Sequence, residues 1–218
     1  MLKNPLLEAR VTSVREGLNS LAGIVDENLD VLVLRLTGEG ELTAGCELKP
    51  IAAVSKTVCE KFLLLVALEH PMAGDLKYAL AALRVEHDYE RIHELLLALN
   101  KRIDRLCGTP MQEVVQDMTA VMSDLLKFHR VVRRTWEPDP QTRELPDLQA
   151  ELARLSAEIH AGIHEIQSEV MKKLAEGSGH PATSVELVLA CRHIKRIAGL
   201  LDAIPAEIHS FDRPTIAG

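Results

Sequence analysis

The chain has 218 residues, of which 47% are hydrophobic, 26% charged and only 3% aromatic, with a formal net charge of −7. The acidic balance argues against nucleic acid as the main partner, because phosphate neutralisation needs a basic surface. The scarcity of rings leaves a core of Leu, Val, Ile and Ala, which favours helices over a β-sandwich.

Apolar residues recur at helical spacing from Val11 through Val14, Leu18, Leu21, Val25, Leu29 and Leu32 to Leu36, which predicts a long amphipathic helix. "GEG" (38–40) ends it, since glycine readily takes the conformation past a helix end. A second helix is predicted from about Pro50 to Glu69, with Ile51, Val54, Val58, Phe62 and Leu65 as its stripe. Its apolar run FLLLVAL (62–68) is too short to span a bilayer. After the break "HPMAGD" (70–75), a third helix runs from about Asp75 to Leu106. The "TPMQ" at 109–112 has the form of a capping box opening a fourth helix, which continues through Val115, Met118, Met122, Leu125 and Val132.

"WEPDPQTRELPD" (136–147) carries three prolines and reads as a linker. The fifth helix has the cleanest stripe, from Leu148 through Ile159, Ile163 and Ile166 to Leu174, and "GSGHPAT" (177–183) breaks it. "TSVE" (183–186) offers another capping box, opening a sixth helix that is expected to stop near Ile204, before Pro205. No stretch alternates with period two for long enough to make a strand. The fold class is therefore all-α, with six long helices.

The two halves echo each other. "LRVEHDYERIHELL" (83–96) aligns without gaps with "VLACRHIKRIAGLL" (188–201), a shift of 105 residues that keeps the apolar stripe in phase. A chain repeating at about half its length predicts two tandem three-helix bundles, residues 1–107 and 108–218.

Candidate ligands cluster at two places. His87, Glu90 and Glu94 share one helical stripe at spacings of three and four, and imidazole with two carboxylates suits iron, manganese or zinc. Glu60 and His70 are the nearest partners on the preceding segment. The same three residues also suit the solvated face of an amphipathic helix, or a contact with a partner protein. His160 and His164 form an i, i+4 pair on the fifth helix, with His193 as a possible third ligand. Residue 161 is Ala, so this is not a metalloprotease HExxH, and the alternative is a polar flank beside the isoleucine stripe. Arg91 and Arg196 recur in both halves and suit either anion binding or an ion pair inside each bundle. No nucleophile elbow or phosphate-binding glycine loop is present, so no enzymatic activity is expected. The four cysteines lie far apart, without a zinc or redox spacing, and read as free thiols in a reducing compartment. The first ten residues lack an apolar core and a small-residue cleavage site, so no signal peptide is expected.

The stretch "HPMAGDLKYALAALRVEHDYERIHELL" (70–96) is similar to the central signature of the PhoU family of phosphate-uptake regulators. Pro71, Asp75, Leu76, the run at 81–83, Asp88, Glu90, Arg91 and Ile92 have counterparts in it, and "LVLACRHIKRIAGLLDAI" (187–204) is a weaker second copy that carries Arg196. The resemblance implies a cytoplasmic, non-catalytic regulator, often dimeric, acting between a phosphate ABC transporter ATPase subunit and a sensor histidine kinase. It also implies a divalent-metal site on Glu/Asp-x-x-x-Asp motifs, matched here by Glu90 and Glu94. Lys195 and Gly199 replace the pair in the second copy, and Ala52 and Ser55 stand where facing acids are expected; His160 and His164 fall near the corresponding positions on the fifth helix. A metal-binding helical bundle with an iron or zinc site is the alternative function.

Overall fold

The computed structural model describes residues 5–37, 47–69, 73–106, 112–135 and 145–209. Among these it contains six helices: α1 (Pro5–Thr37), α2 (Ala52–Glu69), α3 (Ala73–Leu106), α4 (Gln112–Arg134), α5 (Leu145–Ala175) and α6 (Pro181–His209). No strand occurs among the described residues, as the absence of period-two alternation predicts.

Several ends differ from the sequence expectation. α1 starts at Pro5 rather than Val11, because proline suits the first helical position and the exposed opening turns need no apolar stripe. α5 starts at Leu145, inside the stretch read as linker. α6 starts at Pro181, so Thr183 and Ser184 are buried in its first turn rather than capping it. His180 does the capping instead: its Nδ1 accepts from the Thr183 amide at 3.4 Å, and its carbonyl from the Ser184 amide at 2.9 Å. α6 also passes through Pro205 to His209. A proline this close to the end removes one hydrogen bond with little helix left to disrupt. α5 ends as expected for its glycines. Gly177 takes φ +71°, and the amides of Ser178 and Gly179 turn back to the Lys173 carbonyl at 3.0 and 2.8 Å. The break expected at 70–75 is shorter, because α3 already begins at Ala73; residues 70–72, the break at 38–40, residues 109–111 of the capping box and the change of half at 107/108 lie outside the described residues, as do the side chains of Asp75 and His70.

In the first half α1 packs on α2 and α3, which also touch each other; in the second α4 packs on α5 and α6, which do likewise. The halves meet along α1–α4 and α3–α6. One apolar core therefore runs through both, from Val14 on α1 to Ile208 on α6. The apolar stripes face it, except at the end of α5 where Leu174 is exposed: Leu21, Leu29, Leu96, Leu99, Ile159 and Ile194 are fully buried. Ala79, Ala81 and Ala82 are buried too, so the small residues of "KYALAALR" serve close helix approach inside the core.

The repeat extends to individual contacts. On α1, a Cβ at Gly17 would lie 2.6 Å from Val58 Cγ2 of α2, and on α5 one at Gly162 would lie 2.5 Å from Val121 Cγ2 of α4. Both partners are related by 104 residues (17 to 121, 58 to 162). The same close crossing is thus built twice, with the glycine and the valine exchanged between the helices.

Candidate functional site

Polar side chains converge at two buried places, one between α2 and α3 and one where α1, α3 and α4 meet.

On α2, Ser55 and Cys59 stand four residues apart, one above the other on the face toward α3. Glu86 and Glu90 stand four apart on α3 and face them. Ser55 is 3% exposed and Glu86 4% exposed, so both need partners. The Ser55 hydroxyl contacts both carboxylates, Glu86 and Glu90. It has one hydrogen and donates to one of them at a time. Burial, then the charge and hydrogen bond of Glu86 and the charge of Glu90, hold the Cys59 thiol above its ordinary pKa, so it stays protonated.

Of the predicted ligands, Glu90 alone joins this cluster. His87 is exposed and lies 3.9 Å from Glu90, on the rim of a groove shared with Asp88 of α3 and Glu207 of α6. Glu94 is exposed one turn further on, with Arg91. The acidic pair facing α2 is Glu86 and Glu90 rather than Glu90 and Glu94, because the burial stripe of α3 runs through Glu86, Tyr89, Ile92 and His93. His93 is buried as well, with Nδ1 3.4 Å from the Asn28 amide nitrogen, and burial lowers its pKa against the opposing charge of Glu94.

In the second half the 104-residue shift puts Ile159 and Ile163 opposite the positions of Ser55 and Cys59. Both isoleucines are buried. His160 and His164 fall one residue later, about 100° round the helix, and are exposed. His160 Nδ1 donates to the Ser156 carbonyl at 2.8 Å, and His164 lies in an open groove with Asp117 and Glu169, away from His193. Cys191, in the place of Glu86, is buried, and burial pushes its thiol up to about 11. Arg196, like Arg91, is exposed, and its charge reaches His193 rather than an acid of its own bundle.

This donor set does not fit a metal of the kind the resemblance implies. Among the described residues no three His, Cys, Asp or Glu side chains converge. The Glu86 and Glu90 carboxylates are met by the Ser55 hydroxyl, a weak donor for a resident divalent ion.

The second place is a chain of buried groups that sequence reading missed. His129 of α4 is 0% exposed. Its Nδ1 lies 2.6 Å from Asp26 Oδ1 of α1, and its Nε2 lies 3.1 Å from the Tyr89 hydroxyl of α3. Arg133, one turn along α4, donates to the other Asp26 oxygen. A neutral imidazole with its proton on Nδ1 suits both of its neighbours: it donates to the carboxylate and accepts from the tyrosine. Burial, with the charges of Arg133 and Arg130, pushes the His129 pKa down against the Asp26 hydrogen bond and charge that raise it. Burial works to raise Asp26, but His129 and Arg133 overcome it and hold the carboxyl below its ordinary value. The available signal was a charged residue, Asp26, beside the apolar stripe at Val25 and Leu29.

Both shifts give the same pH dependence. Asp26 contributes stability above its ordinary value of 3.8, which is lost as pH falls through its lower folded value. His129 takes up its proton in the unfolded chain near 6.5 but in the folded chain only at lower pH. The His129 contribution to the unfolding free energy therefore declines as pH falls below 6.5 and levels off below its folded value, and Asp26 adds a further loss below 3.8. Thermal melts against pH are expected to be flat on this account above 6.5 and to fall below it. His129→Gln makes the decline shallower; His93 and His193, also held below 6.5, keep part of it. An unchanged slope in the variant would remove His129 from this account.

No family model matches the chain, and no curated protein matches it. Among solved structures, the fold is similar to the crystal structure of PhoU from Pseudomonas aeruginosa, with a TM-score of 0.77 and 18% sequence identity, over 94% of this chain and 98% of that one. The chain has a PhoU-like, all-α fold.

Proposed function

We propose that this protein is a PhoU-like regulator of phosphate uptake and phosphate-starvation signalling, working by helix-face contact rather than catalysis. The observation that carries the reading is the similarity of fold, which extends over nearly the full length of both chains. The signature at 70–96 supports it from the sequence side. The partners in this reading are a phosphate ABC transporter ATPase subunit and a sensor histidine kinase, met in the cytoplasm by a homodimer. No described helix is long and apolar enough to cross a membrane. The net charge of −7 speaks for protein partners over nucleic acid.

Deletion of the gene is expected to derepress a phosphate-starvation reporter in phosphate-replete medium. A pull-down is expected to retain the ATPase subunit or the kinase. Unchanged reporter output together with no retained partner sinks the proposal. The metal-binding alternative is not favoured by the donor geometry. It returns if protein purified without chelator or tag holds near-stoichiometric iron or zinc that Glu86→Ala with Glu90→Ala abolishes.

A further inference from the structure

The seam between α3 and α6 carries the repeat within itself. The 105-residue shift takes Asp88 to His193, and it takes Arg102 on α3 to Glu207 on α6. At one end of the seam Asp88 and Glu207 stand close enough to repel, with Arg84 donating to Glu207 at 3.1 Å. At the equivalent end His193 and Arg102 stand in the same relation. The geometry is conserved between the two ends and the charge is inverted. Along the outer face His87, Asp88 and Glu90 become Arg192, His193 and Lys195, while Arg91 remains arginine at Arg196.

Packing alone does not call for this basic end, because the other end makes the same crossing with acids. The basic end also lies in a chain whose overall charge is −7. Burial and the charges of Arg102, Arg196 and Arg192 act on His193 in one direction, against its protonation, and no carboxylate acts on it in the other. Glu186 is shared by Arg102 at 2.8 Å and Arg105 at 2.9 Å. Asp104, nearby on α3, pairs with Arg35 of α1. Arg102 Nε and His193 Nδ1 are buried without a hydrogen-bond partner among the described residues. Arg192, Lys195 and Arg196 are exposed and lie within one turn of each other.

We propose that this basic end of the α3–α6 seam is a docking surface for an acidic segment of a partner protein. The cations run from Arg102 and Arg105, held at Glu186, to Arg196, a span of ten residues of α6, about 15 Å at the helical rise. That length suits several carboxylates in a row and exceeds one phosphate ion. Arginine forks pair with carboxylates in two-point fashion, and exposed cations steer an acidic partner into place. The proposal rests on charge and geometry and does not depend on the regulatory reading above.

The test uses the full chain and a fluorescein-labelled glutamate-rich peptide, followed by anisotropy at low ionic strength. Binding is expected, and it is expected to weaken steeply with added salt. Arg192→Glu with Arg196→Glu is expected to weaken it by about tenfold. Lys56→Glu with Lys77→Glu changes net charge equally on other exposed positions and is expected to leave it intact. If charge reversal unfolds the protein, Arg192→Gln with Arg196→Gln serves in its place, with a loss of about threefold. Three results overturn the proposal: no binding, equal loss in the control variant, or displacement of the peptide by inorganic phosphate beyond that by chloride at equal ionic strength. The last identifies an oxyanion site instead.

Discussion

Asp26→Ala is expected to lower the unfolding free energy by about 3–5 kcal/mol, the usual cost of removing one partner from a buried charged pair. The substitution strips His129 Nδ1–H of its acceptor in a position with no solvent exposure. It also leaves Arg133, about one quarter exposed, without its carboxylate. Tyr89 is fully buried and stacks edge-on against the His129 ring, so a shift of the imidazole disturbs α3 as well. For a chain of this size the loss corresponds to roughly 10 °C in melting temperature. Asp26→Asn keeps one of the two hydrogen bonds. Its amide oxygen still accepts from His129, but its NH2 then faces the Arg133 guanidinium, donor to donor, so that bond is lost with the charge and about 1.5–3 kcal/mol is expected. Urea denaturation of the three proteins measures both differences. If Asp26→Ala melts within about 2 °C of the parent, the network is not a stability element.

The position of this network explains why so much rides on it. Asp26 belongs to α1, Tyr89 to α3, and His129 and Arg133 to α4, so it spans the junction between the halves. Apolar packing along α1–α4 tolerates sliding better than directed hydrogen bonds do, so the polar chain fixes the relative register. Arg130 with Asp30 at 2.7 Å repeats the α1–α4 link one turn away, on the exposed side, where it is worth little.

The helices were legible because their apolar stripes hold for many turns and the core continues through both halves. Their ends were less so. The first turns of α1 are exposed and carry no stripe, and His180 caps α6 although the Thr-x-x-Glu after it looks like the better signal. Within the candidate site, Glu90 was legible and Glu86 was not. Ser55 read as a missing acid, and only the fold shows that it faces two carboxylates. His160 and His164 looked equivalent to the facing positions because the repeat shift is 105 residues for α3 and α6 but 104 for α2 and α5. A one-residue difference is enough to turn a helical side chain from core to solvent. Asp26 and His129 are 103 residues apart, and no local spacing encodes such a pair.

The exchanged glycine and valine make the repeat itself testable. Gly17→Val alone is expected to destabilise by about 3 kcal/mol. The new Cβ would lie 2.6 Å from Val58 Cγ2, and Val58 is buried with a stiff, branched side chain that cannot swing aside. The gain from replacing glycine within a helix, below about 1 kcal/mol, does not offset this. Val58→Gly alone is expected to cost roughly 2–4 kcal/mol through the cavity left behind. The double variant, Gly17→Val with Val58→Gly, moves the bulk from α2 to α1. That is the arrangement the second half already uses, with Val121 on α4 and Gly162 on α5. Helix propensity nearly cancels, since one glycine is removed and one introduced. The double variant is therefore expected to lie well below the sum of the single losses, with a coupling of at least about 2 kcal/mol. Denaturant titration of the four proteins closes the cycle. Additive losses would mean that the two crossings differ in backbone approach, and that the repeat is one of pattern rather than of packing.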